Sequence, residues 1–198
     1  KTTKEGKETV YLPDPTRQYH NLLQKTEEGT KQTYLWDGGV AALLEEGSQE
    51  PQYYLKDELG SPLRLLYPDG EVHESYAYDE FGREMHSKQR STEPVQPFGF
   101  TGYQYDRTAA TYFAQMREYQ PKTGRFTAQD IIPGFKDMPF TMNRYTYCYN
   151  NPILLVDRNG MFPSLDTVTD TLSDWGDTVS DTLDDWGDAF ADGVDSVA

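Results

Sequence analysis

The sequence predicts a mainly β chain: antiparallel hairpins followed by a C-terminal amphipathic acidic α-helix. Three observations carry this reading. Val72-His73-Glu74-Ser75-Tyr76-Ala77-Tyr78-Asp79 alternates with period 2, as a strand with one wet face does. Turn signals punctuate such runs at short intervals, Pro68-Asp69-Gly70 and Glu80-Phe81-Gly82-Arg83 among them. After Gly160 the apolar spacing switches to threes and fours, which is the period of a helix. Composition agrees: 15 Tyr supply amphipathic surface, yet mean hydropathy is −0.80, which suits half-buried sheets better than sheets buried on both faces.

Taken in order, residues 1–51 are expected to form hairpins. Val10-Tyr11-Leu12 reads as a short strand before Pro13 and Pro15. Asn21–Gln24 and Gln32–Trp36 flank Glu27-Glu28-Gly29, a hairpin signal. Asp37-Gly38-Gly39 is a second turn, with Val40 to Glu46 returning and a loop over 47–51. A second region, 52–161, continues the pattern. Tyr53-Tyr54-Leu55 and Leu63–Tyr67 read as strands around Asp57–Ser61. In Tyr76-x-Tyr78-Asp79-x-Phe81-Gly82-Arg83, Asp79 is expected to bond turn amides while the Tyr rings stack across strands. Phe98 to Asp106 is the next predicted strand, Arg107-Thr108 a turn, and Thr111 to Arg117 the return. Tyr145-Thr146-Tyr147-Cys148-Tyr149 alternates like a strand, and a loop over 131–141 is placed to cover a site.

The third region, 162–198, is expected to be helical. Leu165, Val168, Leu172, Trp175, Val179, Leu183, Trp186 and Phe190 form one stripe, within an 11-residue repeat starting at Thr169 and again at Ser180. That period slightly exceeds the helix's own, so a partner helix would supercoil right-handedly. Ten Asp without one Lys or Arg, and Gly176 and Gly187 in the repeat, leave such a helix marginal unless its stripe docks. A solvated acidic linker is the other reading of this composition.

Several classes are excluded. The remaining 161 residues hold 23 acidic and 18 basic groups, so no basic face for nucleic acid is expected. No run approaches the roughly 20 apolar residues of a membrane helix, and no signal peptide is visible at Lys1-Thr2-Thr3-Lys4. Cys148 is alone and His20, His73 and His86 are far apart, so no disulfide or metal set is expected, and a buried structural thiol is favoured over a Cys–His pair.

Chemistry concentrates in Met116 to Asp130, answered by Asn150 to Met161. The first stretch reads as strand, turn, strand, with Pro121 starting the turn and Gly124 taking a positive φ. Glu118, Asp130 and Asp157 sit near strand ends, with Arg117 and Arg125 beside the first two. Carboxylates clustered beside guanidinium groups can split their pKa values, which acid–base hydrolysis requires. Ordinary turn and strand-end polar residues would look the same. A regular hairpin turning near Lys122-Thr123 pairs residue 118 with about 127 and leaves Asp130 roughly 10 Å further along. Either the strand breaks after Phe126 and swings Asp130 back, or its partner is Asp157.

The ordered motifs Arg117-x-Tyr119-x-Pro121-x-Thr123-Gly124-Arg125-Phe126-x-x-x-Asp130 and Tyr145-x-Tyr147-x-x-Asn150-Asn151-Pro152-Ile153-x-x-Val156-Asp157-x-x-Gly160-Met161, with the YD unit at 76–83, resemble the RHS-repeat-associated core domain of polymorphic toxins and insecticidal toxin complexes. The resemblance spans roughly 50–161. It implies the closing segment of a YD-repeat β shell, with aspartyl self-cleavage after Met161, at the Met161–Phe162 bond, through Asp130, Glu118 and Arg117, with Asp157 the alternative partner of Asp130. Glu118 stands where the family has Asp, Arg158 where it has Pro, and Met161 where it has Leu. No cofactor is implied. The implied partners are the remainder of the shell, a downstream effector and an immunity protein for that effector, in a secreted or cell-surface bacterial setting. A structural capsule element without proteolysis, and a Tyr-rich carbohydrate- or cell-surface-binding module, are the alternatives.

Overall fold

A computed structural model of the chain describes residues 2–4, 7–16, 21–85, 94–131, 133–134 and 139–161. The chain divides into two units, Lys1–Ser164 and Leu165–Ala198, and every described residue lies in the first. The predicted helix over 162–198, and Phe162 with it, fall outside the described residues, as does part of the predicted covering loop.

Among the described residues, twelve strands form two antiparallel sheets. The first is a meander of eight in chain order: β1 (Thr2–Lys4), β2 (Lys7–Asp14), β3 (Asn21–Glu27), β4 (Thr30–Trp36), β5 (Val40–Glu45), β6 (Gln52–Lys56), β7 (Pro62–Leu66) and β8 (Val72–Ser75). The hairpin turns fall where Gly allows a positive φ, as at Gly29 and Gly70. β5 pairs with β6, so the sheet runs unbroken across position 51. The second sheet, in the order β12-β11-β10-β9, contains β9 (Gln104–Asp106), β10 (Thr111–Ala114), β11 (Arg117–Gln120) and β12 (Arg125–Phe126).

The turn of the YD unit follows the predicted logic. Asp79 Oδ1 accepts hydrogen bonds from the amides of Phe81 (3.1 Å) and Arg83 (2.8 Å), while Gly82 N–H donates to Asp79 O at 2.9 Å. Tyr76 is buried; Tyr78 lies beyond β8 in an isolated bridge with Glu84 rather than in one long strand.

Each sheet has its own core. Leu22, Tyr34, Val40, Leu43, Tyr54, Leu65, Tyr76 and Phe98 pack on the first; Phe100, Tyr103, Tyr112, Ala114, Tyr119, Phe126, Tyr147 and Cys148 on the second. Phe98 meets Tyr34 edge-on at 5.0 Å and Trp36 at 5.3 Å, whereas Phe100, two residues on, lies among Tyr112, Tyr119 and Tyr147. The segment between them is not the predicted continuous strand over Phe98–Asp106. It doubles back through a 3-10 turn, Phe100–Gly102, so that Phe98 bridges Gln104. The reason is local: Thr101 and Gly102 both adopt positive φ, and Gly99 lies under the Tyr112 ring where a side chain has no room.

The 145–149 run is likewise not an extended strand. Thr146 makes one bridge to Arg125, and then Cys148, Tyr149 and Asn150 take positive φ in succession, closing a 3-10 turn. Met116 falls in the turn between β10 and β11, not in a strand.

Candidate functional site

β11 fixes the site. Arg117 pairs with Ala114, and Tyr119 with both Tyr112 and Phe126. Alternation puts Arg117 and Tyr119 on the core face of the strand and Glu118 on the other. The Arg117 side chain is buried, with its guanidinium carbon 3.6 Å from the Phe126 ring centroid, a cation–π contact in a desolvated place.

That guanidinium gathers four acceptors from distant parts of the chain. Its Nη2 lies 2.8 Å from Asp130 Oδ2 and 3.3 Å from Asp157 Oδ2. Nε donates to Gly160 O, and Nη1 to Arg144 O at 3.3 Å. Asp130 reaches the site because β12 ends at Phe126: the predicted pairing holds as far as Thr127 N–H to Glu118 O at 2.8 Å, then the chain bends. Asp130 N–H instead donates to Arg144 O at 2.9 Å.

Asp157 is only 1% exposed. Its Oδ1 accepts from the amides of Gly160 (2.8 Å) and Met161 (3.1 Å). Burial pushes its carboxyl up to about 6 and the nearby Asp130 adds to this, against the pull of Arg117 and the two amides. Gly160 holds the turn against the second sheet: its φ is +73°, and a Cβ there would overlap Ala114 O.

The structure thus brings together Arg117, Asp130, Asp157 and the main chain up to Met161. It does not bring Glu118 to them. Glu118 takes part in none of these bonds, and its Oε2 is buried without a hydrogen-bond partner among the described residues. The strand does break after Phe126, but it does not swing Asp130 back to Glu118; Asp130 and Asp157 instead meet the same Arg117 nitrogen. Arg144 belongs to the cluster too; nothing in the sequence singled it out, because its place depends on a segment fourteen residues away. Cys148 is fully buried, and burial raises its thiol far above the usual range, which fits a structural role. Among the described residues no group of His, Cys, Asp or Glu could hold a metal ion, and no helix is long and apolar enough to cross a membrane.

Residues 17–153 match the family model described as Teneurin YD-shell. The chain belongs to the YD-shell family. Among its relatives, the tRNA(Glu)-specific nuclease WapA of Bacillus subtilis subsp. natto is 24% identical over 181 residues, which covers 80% of this chain and 8% of the nuclease. Toxin protein Tse5 of Pseudomonas aeruginosa is 28% identical over 115 residues, covering 58% of this chain and 8% of the toxin. Among solved structures, TcdB2-TccC3 without its hypervariable C-terminal region superposes with a TM-score of 0.56 at 16% identity, over 81% of this chain and 8% of that one. That likeness is one of fold. This YD-shell chain spans about a twelfth of the length of these relatives.

Proposed function

We propose that this YD-shell segment closes a toxin shell around a C-terminal effector and cuts its own chain after Met161 as an aspartyl protease acting in cis. The observation that carries the reading is one guanidinium nitrogen, Arg117 Nη2, paired with both Asp130 and Asp157, while Asp157 also binds the Met161 amide. The two carboxyl groups differ in burial, the Asp157 side chain being 1% exposed and that of Asp130 17%. Asp157, raised to about 6 by burial, is the acid; Asp130, ion-paired with Arg117, is the base. Asp130 takes a proton from water as its oxygen attacks the Met161 carbonyl carbon. Asp157 gives a proton to the Phe162 nitrogen as the C–N bond breaks. One water is consumed, leaving a carboxyl at Met161 and an amine at Phe162. Glu118 has no part in these steps.

The partners are the remainder of the same shell and the effector downstream, with a cognate immunity protein for that effector, and the setting is secreted or cell-surface. Relatives named as a nuclease and a toxin, each far longer than this chain, support that setting.

One observation favours the structural reading. Asp157-Arg158-Asn159-Gly160 repeats the Asp79-Glu80-Phe81-Gly82 turn, with the Asp oxygen on turn amides and Gly at positive φ, and Asp57-Glu58-Leu59-Gly60 does so again through Asp57 Oδ1 and Ser61 N–H at 2.7 Å. On that reading Asp157 is one more shell turn. Intact mass of the full chain separates the two. Wild type is expected to split after Met161, and the nearly isosteric Asp130→Asn to stay whole, because an amide cannot accept the water proton. A wild-type chain that stays whole from acidic to neutral pH leaves the structural reading.

A further inference from the structure

Asp130 lies beyond the end of β12, in a segment outside every strand pairing among the described residues. Arg144 grips it at two main-chain points. The Arg144 carbonyl accepts the Asp130 N–H at 2.9 Å. Its guanidinium reaches back over the Asp130 carbonyl, with Nε at 2.8 Å and Nη2 as a second donor, and Nη2 also touches Ile131 O at 3.5 Å. The same Arg144 carbonyl accepts from Arg117 Nη1. A guanidinium ordinarily seeks a carboxylate, yet among the described residues none pairs with this one; its fork is spent on neutral carbonyls of the site's own main chain.

We propose that Arg144 is a positioning residue: its side-chain fork fixes the backbone of Asp130 and so sets the Asp130 carboxylate against Arg117 and Asp157. For its kinetic consequence this rests on the autoproteolytic reading; for its geometry it stands alone. Arg144 touches none of the reacting atoms. Substitution leaves its peptide group in place, so variants report on the guanidinium.

The groups facing Asp157 are Arg117 from β11, Asp130 after β12, and Tyr103, Cys148 and Tyr149 from the aromatic core and its rim. If Asp130 swings away, Asp157 loses a neighbouring negative charge and gains water, and both changes lower its titration midpoint. A residue that merely stiffened a loop would leave that midpoint alone.

The experiment uses the full 198-residue chain, followed by intact mass from pH 4 to 8. Arg144→Ala is expected to slow cleavage about 100-fold, the cost of a misplacement of about 1 Å. The alkaline limb of the rate profile is expected to move to lower pH. An unchanged rate with an unchanged limb overturns the proposal. If wild type does not cleave at all, the autoproteolytic reading falls, and placement is read instead from the Asp157 carboxyl ¹³C titration. A lower midpoint in Arg144→Ala upholds the positioning role, and an unchanged one overturns it. Should Arg144→Ala lose the wild-type near-UV spectrum, Arg144→Lys decides. It keeps the charge but not the fork, so a smaller slowing and a shift of the same sign are expected; wild-type values overturn the proposal.

Discussion

Arg117 is the residue on which the buried charges of the site depend. Two carboxylates share its Nη2, one of them fully enclosed, and Phe126 covers the guanidinium face. Truncating it leaves buried carboxyl groups without a cation, so Arg117→Ala is expected to cost about 3–5 kcal/mol in urea unfolding. Asp157 makes a second prediction with a definite sign. Burial raises its folded carboxyl to about 6, so the folded chain holds the proton more tightly than the unfolded one does. The stabilisation is present in full below about pH 4 and is lost as pH rises through about 6, by up to roughly 3 kcal/mol. In an Asp130→Asn background, where loss of the neighbouring negative charge makes the effect smaller, unfolding free energy is still expected to fall between pH 4 and 7. Adding Asp157→Asn is expected to flatten that fall. A slope unchanged by the second substitution would place the titration elsewhere.

At the scale of elements, the Asp-x-x-Gly turn is the unit that recurs. The side-chain oxygen of Asp79 satisfies two amides that its hairpin cannot, and Gly82 sits at φ +81° with the Phe100 ring against its Cα. Asp79→Ala leaves those amides without their acceptor and is expected to lower stability by roughly 1–3 kcal/mol. Asp79→Asn keeps an oxygen in place and is expected to recover most of this. Thermal melts of the two variants side by side check the claim. The same turn at Asp157 shows how a shell element can be shared with a site: one carboxylate oxygen closes the turn while the other faces Arg117.

Over the whole of the described fold, Phe98-Gly99-Phe100 joins the two sheets. Phe98 is buried in the core of one and Phe100 in that of the other, and the bare Gly99 lets the Tyr112 ring close over the join. Phe98→Ala is expected to cost about 3–5 kcal/mol, and to weaken the first sheet before the second, because its edge-on partners Tyr34, Trp36 and Tyr54 all belong to the first. Hydrogen exchange resolved by strand tests this; equal loss of protection in β4 and β11 would contradict it. The first sheet also carries apolar residues on its other face: Leu35, Leu44, Tyr53, Leu55 and Val72 are all exposed. A YD hairpin does not bury both faces by itself, which is why the family builds shells from many.

The sequence by itself determined the local grammar. Alternation located most strands, and Pro68-Asp69-Gly70, Glu80-Phe81-Gly82 and Lys122-Thr123-Gly124 turn where their residues require, because φ preference and side-chain capping act over four or five residues. Arg117, Asp130 and Asp157 were legible as candidates for a related reason: their ordered motifs resemble a family. Which of the carboxyl groups meet was not legible. Glu118 is adjacent to Arg117 in sequence yet faces away from the cluster, since a strand turns successive side chains to opposite sides. Asp157, forty residues further on, shares its cation instead. The doubled-back Phe98–Gln104 segment, the positive-φ run at Cys148–Asn150 and the grip of Arg144 on Asp130 were decided only by tertiary structure. The first and the last depend on a long-range contact, a ring over a glycine and a carbonyl within reach of a guanidinium, that no local pattern encodes.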